Sequence, residues 1–64
     1  MIGDKIREAR ERAKMSQKDL AAKMQVKHYQ QIGRWERNEI SVSLDNLKKI
    51  AKALGVTLDE LAGD

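Results

Sequence analysis

Three polar residues in the middle of the chain have the types and spacing to contact DNA from one helix face: Gln30 and Arg34 suit base edges, and the outer Arg37 suits a phosphate. Gln30, Arg34 and Arg37 recur at intervals of four and three residues, which places them on one face of a helix. In the major groove, glutamine can form two hydrogen bonds with adenine, and arginine can form two with guanine. The same residue types are also common on solvated helices, so the surrounding elements must decide between the two interpretations.

Metal, thiol and acid–base chemistry have little support in the sequence. The chain has no cysteine and one histidine, His28, so a zinc site cannot be assembled from the usual ligands. No pair of carboxylates is spaced as general acid–base catalysis would require, and Ser16, Ser43 and Thr57 are better explained as helix caps than as nucleophiles. We therefore expect no enzymatic activity, no cofactor, no metal and no small-molecule substrate.

Positive charge is concentrated in the first part of the chain. The formal net charge is +3, but residues 5–37 hold ten Lys or Arg and only four Asp or Glu, whereas residues 38–64 are net negative. Clustered lysine and arginine favour contact with a polyanion when a docking motif accompanies them. The first part of the chain is thus the expected anion-binding side.

The chain length limits the architecture. Its 64 residues are expected to form one domain, 1–64, stabilised by helix packing alone, because there is no disulfide or metal to assist a small core. The charged N-terminal residues do not resemble a signal peptide, and no apolar run approaches the roughly 20 residues of a membrane span. We expect a cytoplasmic, nucleoid-associated protein with no membrane partner.

Periodicity and capping residues predict an all-α, compact five-helix bundle. The predicted helices cover residues 2–14, 16–24, 28–37, 43–54 and 57–62. Ser16, Ser43 and Thr57 are the predicted N-caps, whereas Asn38 and Gly55 are predicted left-handed residues at helix ends. The predicted inward stripes are Ile2, Ile6, Ala9 and Ala13; Leu20, Ala21 and Met24; Ile32 and Trp35; Leu44, Leu47, Ile50, Ala51 and Leu54; Leu58 and Leu61.

The second and third predicted helices form a pair in which the third can enter the major groove. If Ile32 and Trp35 face the core, Gln30, Arg34 and Arg37 point outward, and Lys27 joins them only if the helix starts that early. Gly33 is unfavourable inside a helix, so it either permits close approach to DNA or is simply tolerated.

A family resemblance covers nearly the whole chain. It is carried by Ser16-Gln17-Lys18-Asp19-Leu20-Ala21, Val26, Ile32, Trp35-Glu36-Arg37-Asn38, Ser43-Leu44, Lys49 to Val56 and Asp59-Glu60-Leu61. These residues resemble the lambda-repressor-like (Cro-type, XRE) helix-turn-helix family. Regular Ala, Lys and Leu usage without Cys, Pro or Phe is compatible with a natural or an engineered sequence.

The resemblance implies sequence-specific binding of duplex DNA with the third helix in the major groove. It assigns base reading to Tyr29, Gln30 and Arg34, of which Tyr29 rests on the resemblance alone. It also implies an ion pair between Arg10 and Glu36 that orients the helices. The implied phosphate contacts are Gln17, Lys18, Lys27, His28, Arg37 and Asn38.

The sequence departs from the family pattern in the turn before the third helix. Gln25 stands where the family usually has glycine, and one extra residue lies between Gln25 and Ile32. Either the turn is longer or the third helix gains a residue at its start. The departure leaves the roles of Lys27, His28 and Tyr29 open.

A helical protein–protein interaction module, antitoxin-like or coactivator-like, is the main alternative function. A basic amphipathic first helix at a membrane is a weaker one, because half of its apolar stripe is alanine. Affinity for DNA falls linearly with salt on a logarithmic scale, which distinguishes the alternatives. Binding as a monomer or as a homodimer stays open.

Overall fold

The computed structural model describes residues 1–63 and places five helices in them. They are α1 (Ile2–Arg12), α2 (Gln17–Met24), α3 (Gln30–Glu36), α4 (Leu44–Leu54) and α5 (Leu58–Ala62). No strand occurs in this part of the chain, so the all-α, five-helix prediction is confirmed. Helix α1 packs against α3 and α5, while α2 packs against α4.

One core joins all five helices. Its buried apolar side chains are Ile6, Ala9, Leu20, Ala21, Met24, Ile32, Trp35, Leu47, Ile50, Ala51, Leu54 and Leu61. Ile32 is fully buried and Trp35 is 4% exposed, which confirms that both belong to the core stripe of α3. Their burial determines which face of α3 remains in solvent.

All three predicted N-caps are present. The Ser16 hydroxyl accepts a hydrogen bond from the Asp19 amide (3.0 Å), and the Asp19 carboxylate accepts one from the Ser16 amide (2.9 Å). Thr57 and Glu60 form the same reciprocal capping box at α5, and Ser43 caps α4. Each cap satisfies backbone donors that the first turn leaves unpaired, so the helix starts are encoded locally.

Four helices are followed, within one or two residues, by a residue in the left-handed conformation. Asn38 (φ 60°) and Gly55 (φ 71°) were predicted there, while Lys14 (φ 58°) and Gln25 (φ 60°) adopt it without glycine's conformational freedom. After each one, the next amide bonds to a carbonyl five residues earlier, as from Val26 to Ala21 (2.9 Å). Gln25 thus performs the turn that the resemblance assigns to glycine.

Three predictions about the helices were wrong. Helix α1 ends at Arg12, not at residue 14. Helix α3 begins at Gln30 and ends at Glu36, not at 28 and 37, because residues 25–29 form a longer connector. Leu44 and Ile2 were expected to face inward, but they are 58% and 38% exposed. Both lie at the start of a helix, where no other element covers the predicted stripe.

None of the helices in residues 1–63 has the length and apolar character that a membrane crossing requires. Within the same residues, no His, Asp and Glu side chains gather in a group suited to a metal ion.

Candidate nucleic-acid interface

The exposed face of α3 carries the polar residues that the sequence singled out. Gln30 and Arg34 are exposed on the side opposite Ile32 and Trp35, and Arg37, which follows the last residue of α3, is also exposed. Gln31 is exposed as well, although sequence reasoning did not select it. Its helical position, one residue from Gln30, puts it on the flank of this face and supplies another amide.

The connector before α3 absorbs the extra residue. Tyr29 has helical dihedral angles (φ −65°, ψ −20°) but precedes the first residue of α3. The Gln31 and Ile32 amides bond to the carbonyls of His28 (3.2 Å) and Tyr29 (3.0 Å), which makes a tight first turn. Lys27 and His28 are exposed in the connector, so Lys27 does not continue the face of α3.

A buried ion pair joins α1 to α3. The Arg10 guanidinium donates to both carboxylate oxygens of Glu36, with Nε to Oε2 at 2.6 Å and Nη2 to Oε1 at 3.1 Å. The two side chains are 12% and 3% exposed. The Glu36 carboxylate raises the pKa of Arg10 chiefly through this hydrogen bonding. Arg10 also donates to the Met15 carbonyl (2.9 Å), so its guanidinium is firmly held.

Gln17 connects this ion pair to the N-terminus of α2. Its amide nitrogen donates to Glu36 Oε1 at 3.2 Å, and its side chain is half-buried between α2 and α3. Because α2 starts at Gln17, the same residue lies at the positive end of the helix dipole. The predicted phosphate contact at Gln17 is therefore held in position by Glu36.

Gly33 makes room for this arrangement. A methyl group at Gly33 would lie 3.1 Å from Arg37 Nη1 and 3.4 Å from both amide atoms of Gln17. The side chains of Gln17 and Arg37 therefore pass over the same bare backbone position. Packing between α2 and α3 is thus a third reason for glycine at this position, beside the close approach to DNA and the simple tolerance that the sequence suggested.

Arg37 forms an exposed ion pair just beyond α3. Its Nε donates to Glu39 Oε2 at 2.5 Å, and the side chains are 58% and 51% exposed. The hydrogen bond lowers the pKa of the Glu39 carboxyl and raises that of Arg37. Part of the positive charge of Arg37 is thus neutralised, although its guanidinium keeps other donors free to bind an anion.

Asn38 is tied to the start of α1. Its side-chain oxygen accepts a hydrogen bond from the Gly3 amide at 3.1 Å, while its backbone ends α3. Its side chain therefore serves the fold, and only its backbone region is available for the predicted phosphate contact.

Lys18 and Tyr29 meet across the connector. The Lys18 ammonium lies 5.1 Å from the centre of the Tyr29 ring, within the range of a cation–π interaction. Both residues are exposed. The structure thus brings together a predicted phosphate contact and a predicted base contact, a pairing that the sequence did not indicate.

The chain matches the helix-turn-helix family model over residues 6–61. It is also 42% identical over 62 residues to control protein C.BamHI from Bacillus amyloliquefaciens, an alignment that covers 95% of this chain and 75% of that protein. No solved structure matches the chain.

Proposed function

This chain belongs to the helix-turn-helix family, and we propose that it regulates transcription by binding duplex DNA sequence-specifically, with α3 in the major groove. Family membership makes it a DNA-binding regulatory domain. The regulatory role agrees with the name of its relative, a control protein.

The orientation of α3 is the observation that carries the proposal. Ile32 and Trp35 are buried on one side, so Gln30 and Arg34 project from the opposite side. We assign base reading to these two residues, because amide and guanidinium groups can each make paired hydrogen bonds to a base edge. An exposed face of this composition fits a groove better than a protein surface, since it offers no large apolar side chain.

The phosphate contacts flank this face. Lys18 and Gln17 lie on the first turn of α2, Lys27 and His28 lie in the connector, and Arg37 lies beyond the end of α3. The backbone near Asn38 completes the predicted set. Contacts on both sides of α3 would fix its register along the groove without selecting bases.

Selection of binding sites from random duplexes tests the proposal. We expect one enriched motif, with an affinity that falls linearly with salt on a logarithmic scale. Absence of any enriched motif, together with weak salt dependence, would favour the protein-binding alternative.

We further propose that two copies bind together. An open groove of about 480 Å³ lies between the start of α1 and the connector after α3, and its apolar lining residues are Met1, Ile2, Ile40 and Val42. Ile40 is 36% exposed. Half-sites recur about 34–36 Å apart on one face of DNA, whereas the backbone of this domain measures 29 × 23 × 20 Å. With the longest axis along the DNA, side chains would bring neighbouring copies in successive grooves into contact.

Sedimentation of the protein on its selected duplex tests the pairing. We expect two copies per site for the native chain and weaker pairing for Ile40→Ser. Leu44→Ser is the control, because Leu44 is exposed but does not line the groove. One copy per duplex for the native chain would contradict the pairing and leave the mode of DNA binding intact.

A further inference from the structure

We infer that Tyr29 is a positioning residue that holds Lys18 on the first turn of α2 and fastens the connector before α3, and that it does not read a base. The effect of this Lys18–Tyr29 contact on DNA affinity rests on the function proposed above, whereas the contact itself is present in the protein without DNA.

The first support is the position of the two residues. Lys18 is the second residue of α2, and Tyr29 immediately precedes α3. Their 5.1 Å contact therefore joins the beginning of one helix directly to the beginning of the next. An aromatic face attracts a cation because the ring carries negative charge density above its plane.

The contact matters because few other interactions hold the connector between α2 and α3 in place. Backbone hydrogen bonds hold its two ends, from Val26 to Ala21 and from Ile32 to Tyr29. Among residues 1–63, no side chain between Gln25 and Tyr29 makes a hydrogen bond to either helix. The ring of Tyr29 thus provides a side-chain link across a segment whose length determines how α3 meets α2.

The geometry also argues against base reading by Tyr29. One face of the ring is covered by the Lys18 ammonium, so that face cannot stack on a base. The ammonium is meanwhile held at the N-terminal turn of α2, beside Gln17, where a phosphate would bind. A residue that places a phosphate contact affects the affinity for every sequence equally.

Proton NMR of the free chain tests the contact. The ring should shift the side-chain methylene protons of Lys18 upfield. Tyr29→Phe, which keeps the ring, should preserve this shift, and Tyr29→Leu should abolish it. Lys27→Met is the control, because Lys27 lies in the same connector but its ammonium does not contact the ring. Unshifted Lys18 protons in the native chain would overturn the inference whatever the protein does with DNA.

DNA binding by the same variants tests the role. Tyr29→Leu and Lys18→Met should each lose about two- to fivefold in affinity, by the same factor on the selected site and on unrelated duplexes. The double variant should lose less than the product of the two, and Tyr29→Phe should bind like the native chain. A changed base preference in Tyr29→Phe would overturn the inference, because the hydroxyl would then be reading a base. Failure of the native chain to bind any duplex would refute the proposed function instead.

Discussion

The amide of Gly3 donates a hydrogen bond to the side chain of Asn38 over 3.1 Å, so the left-handed residue that follows α3 also caps α1. No side chain near the start of α1 supplies a cap. The cap comes from 35 residues away, and it couples the position of α1 to the end of α3.

Gly3→Ala should destabilise the fold by about 3 kcal/mol, at the upper end of overpacking costs. Its methyl group would lie 2.3 Å from the Trp35 carbonyl oxygen and 2.6 Å from that of Glu36, and backbone atoms cannot move aside cheaply. Asn38→Gly should cost about 1 kcal/mol, the typical value of a lost cap, while keeping the left-handed turn. Urea unfolding measures both. If Gly3→Ala had the same free energy of unfolding as the native chain, α1 would not approach α3 this closely.

Gly33→Ala should separate stability from DNA affinity. The methyl group would meet only the ends of the Gln17 and Arg37 side chains, so stability should stay within about 1 kcal/mol of native, since alanine favours the helix. Displacement of the Gln17 amide should weaken DNA binding about three- to tenfold, the value of roughly one hydrogen bond. Binding titrations beside thermal unfolding test this. Unchanged affinity would mean that Gln17 makes no phosphate contact through its side chain.

The Arg10–Glu36 pair should be sensitive to removal of one partner. Arg10→Met leaves the Glu36 carboxylate buried without its main partner, and such a change costs about 3–5 kcal/mol. Glu36→Gln keeps one accepting oxygen and should cost less stability, yet it should lower DNA affinity, because its NH2 group cannot accept from Arg10 or Gln17 and the three side chains can no longer all pair. Chemical denaturation and DNA titration of each variant test the two effects. If Glu36→Gln bound DNA as tightly as the native chain, the ion pair would have no role in orienting the helices for DNA binding.

Asp19 should contribute stability that is lost in acid. Hydrogen bonds from the Ser16 amide, and then from its side chain, lower the pKa of the Asp19 carboxyl below its ordinary value of 3.8. A carboxyl with a lowered folded-state pKa stabilises the fold above its unfolded-state pKa, and this contribution disappears as the pH falls through the folded-state value. The stability difference between native and Asp19→Asn should therefore shrink from pH 6 to pH 2. Asp45→Asn is a control, since Asp45 is also in the first turn of a helix. A constant difference across this range would contradict the capping role.

Local signals explain most of what could be predicted from the sequence. Ser16, Ser43 and Thr57 mark helix starts through bonds to residues three positions away, and the spacing of Ile32 and Trp35 identifies the core side of α3. These features depend on a few neighbouring residues, so a pattern can reveal them.

The remaining features depend on contacts between distant segments. The bond from Gly3 to Asn38, the reach of Gln17 to Glu36 and the contact of Lys18 with Tyr29 need the packed fold to bring residues together. Leu44 shows what periodicity alone cannot predict. Its place in the helical stripe gives the side of α4 on which it lies, but not whether another element covers that side. The extra residue before α3 was visible in the sequence, but only the backbone decides that it lengthens the connector.

Comparison of Arg34→Ala with Lys18→Ala on selected and randomised duplexes tests the central claim most directly. Arg34→Ala should lose about 1–3 kcal/mol of binding free energy on the selected site and relax the preference at one base pair, whereas Lys18→Ala should weaken binding to all duplexes alike. An equal, sequence-independent loss in both variants would show that the exposed face of α3 does not read bases.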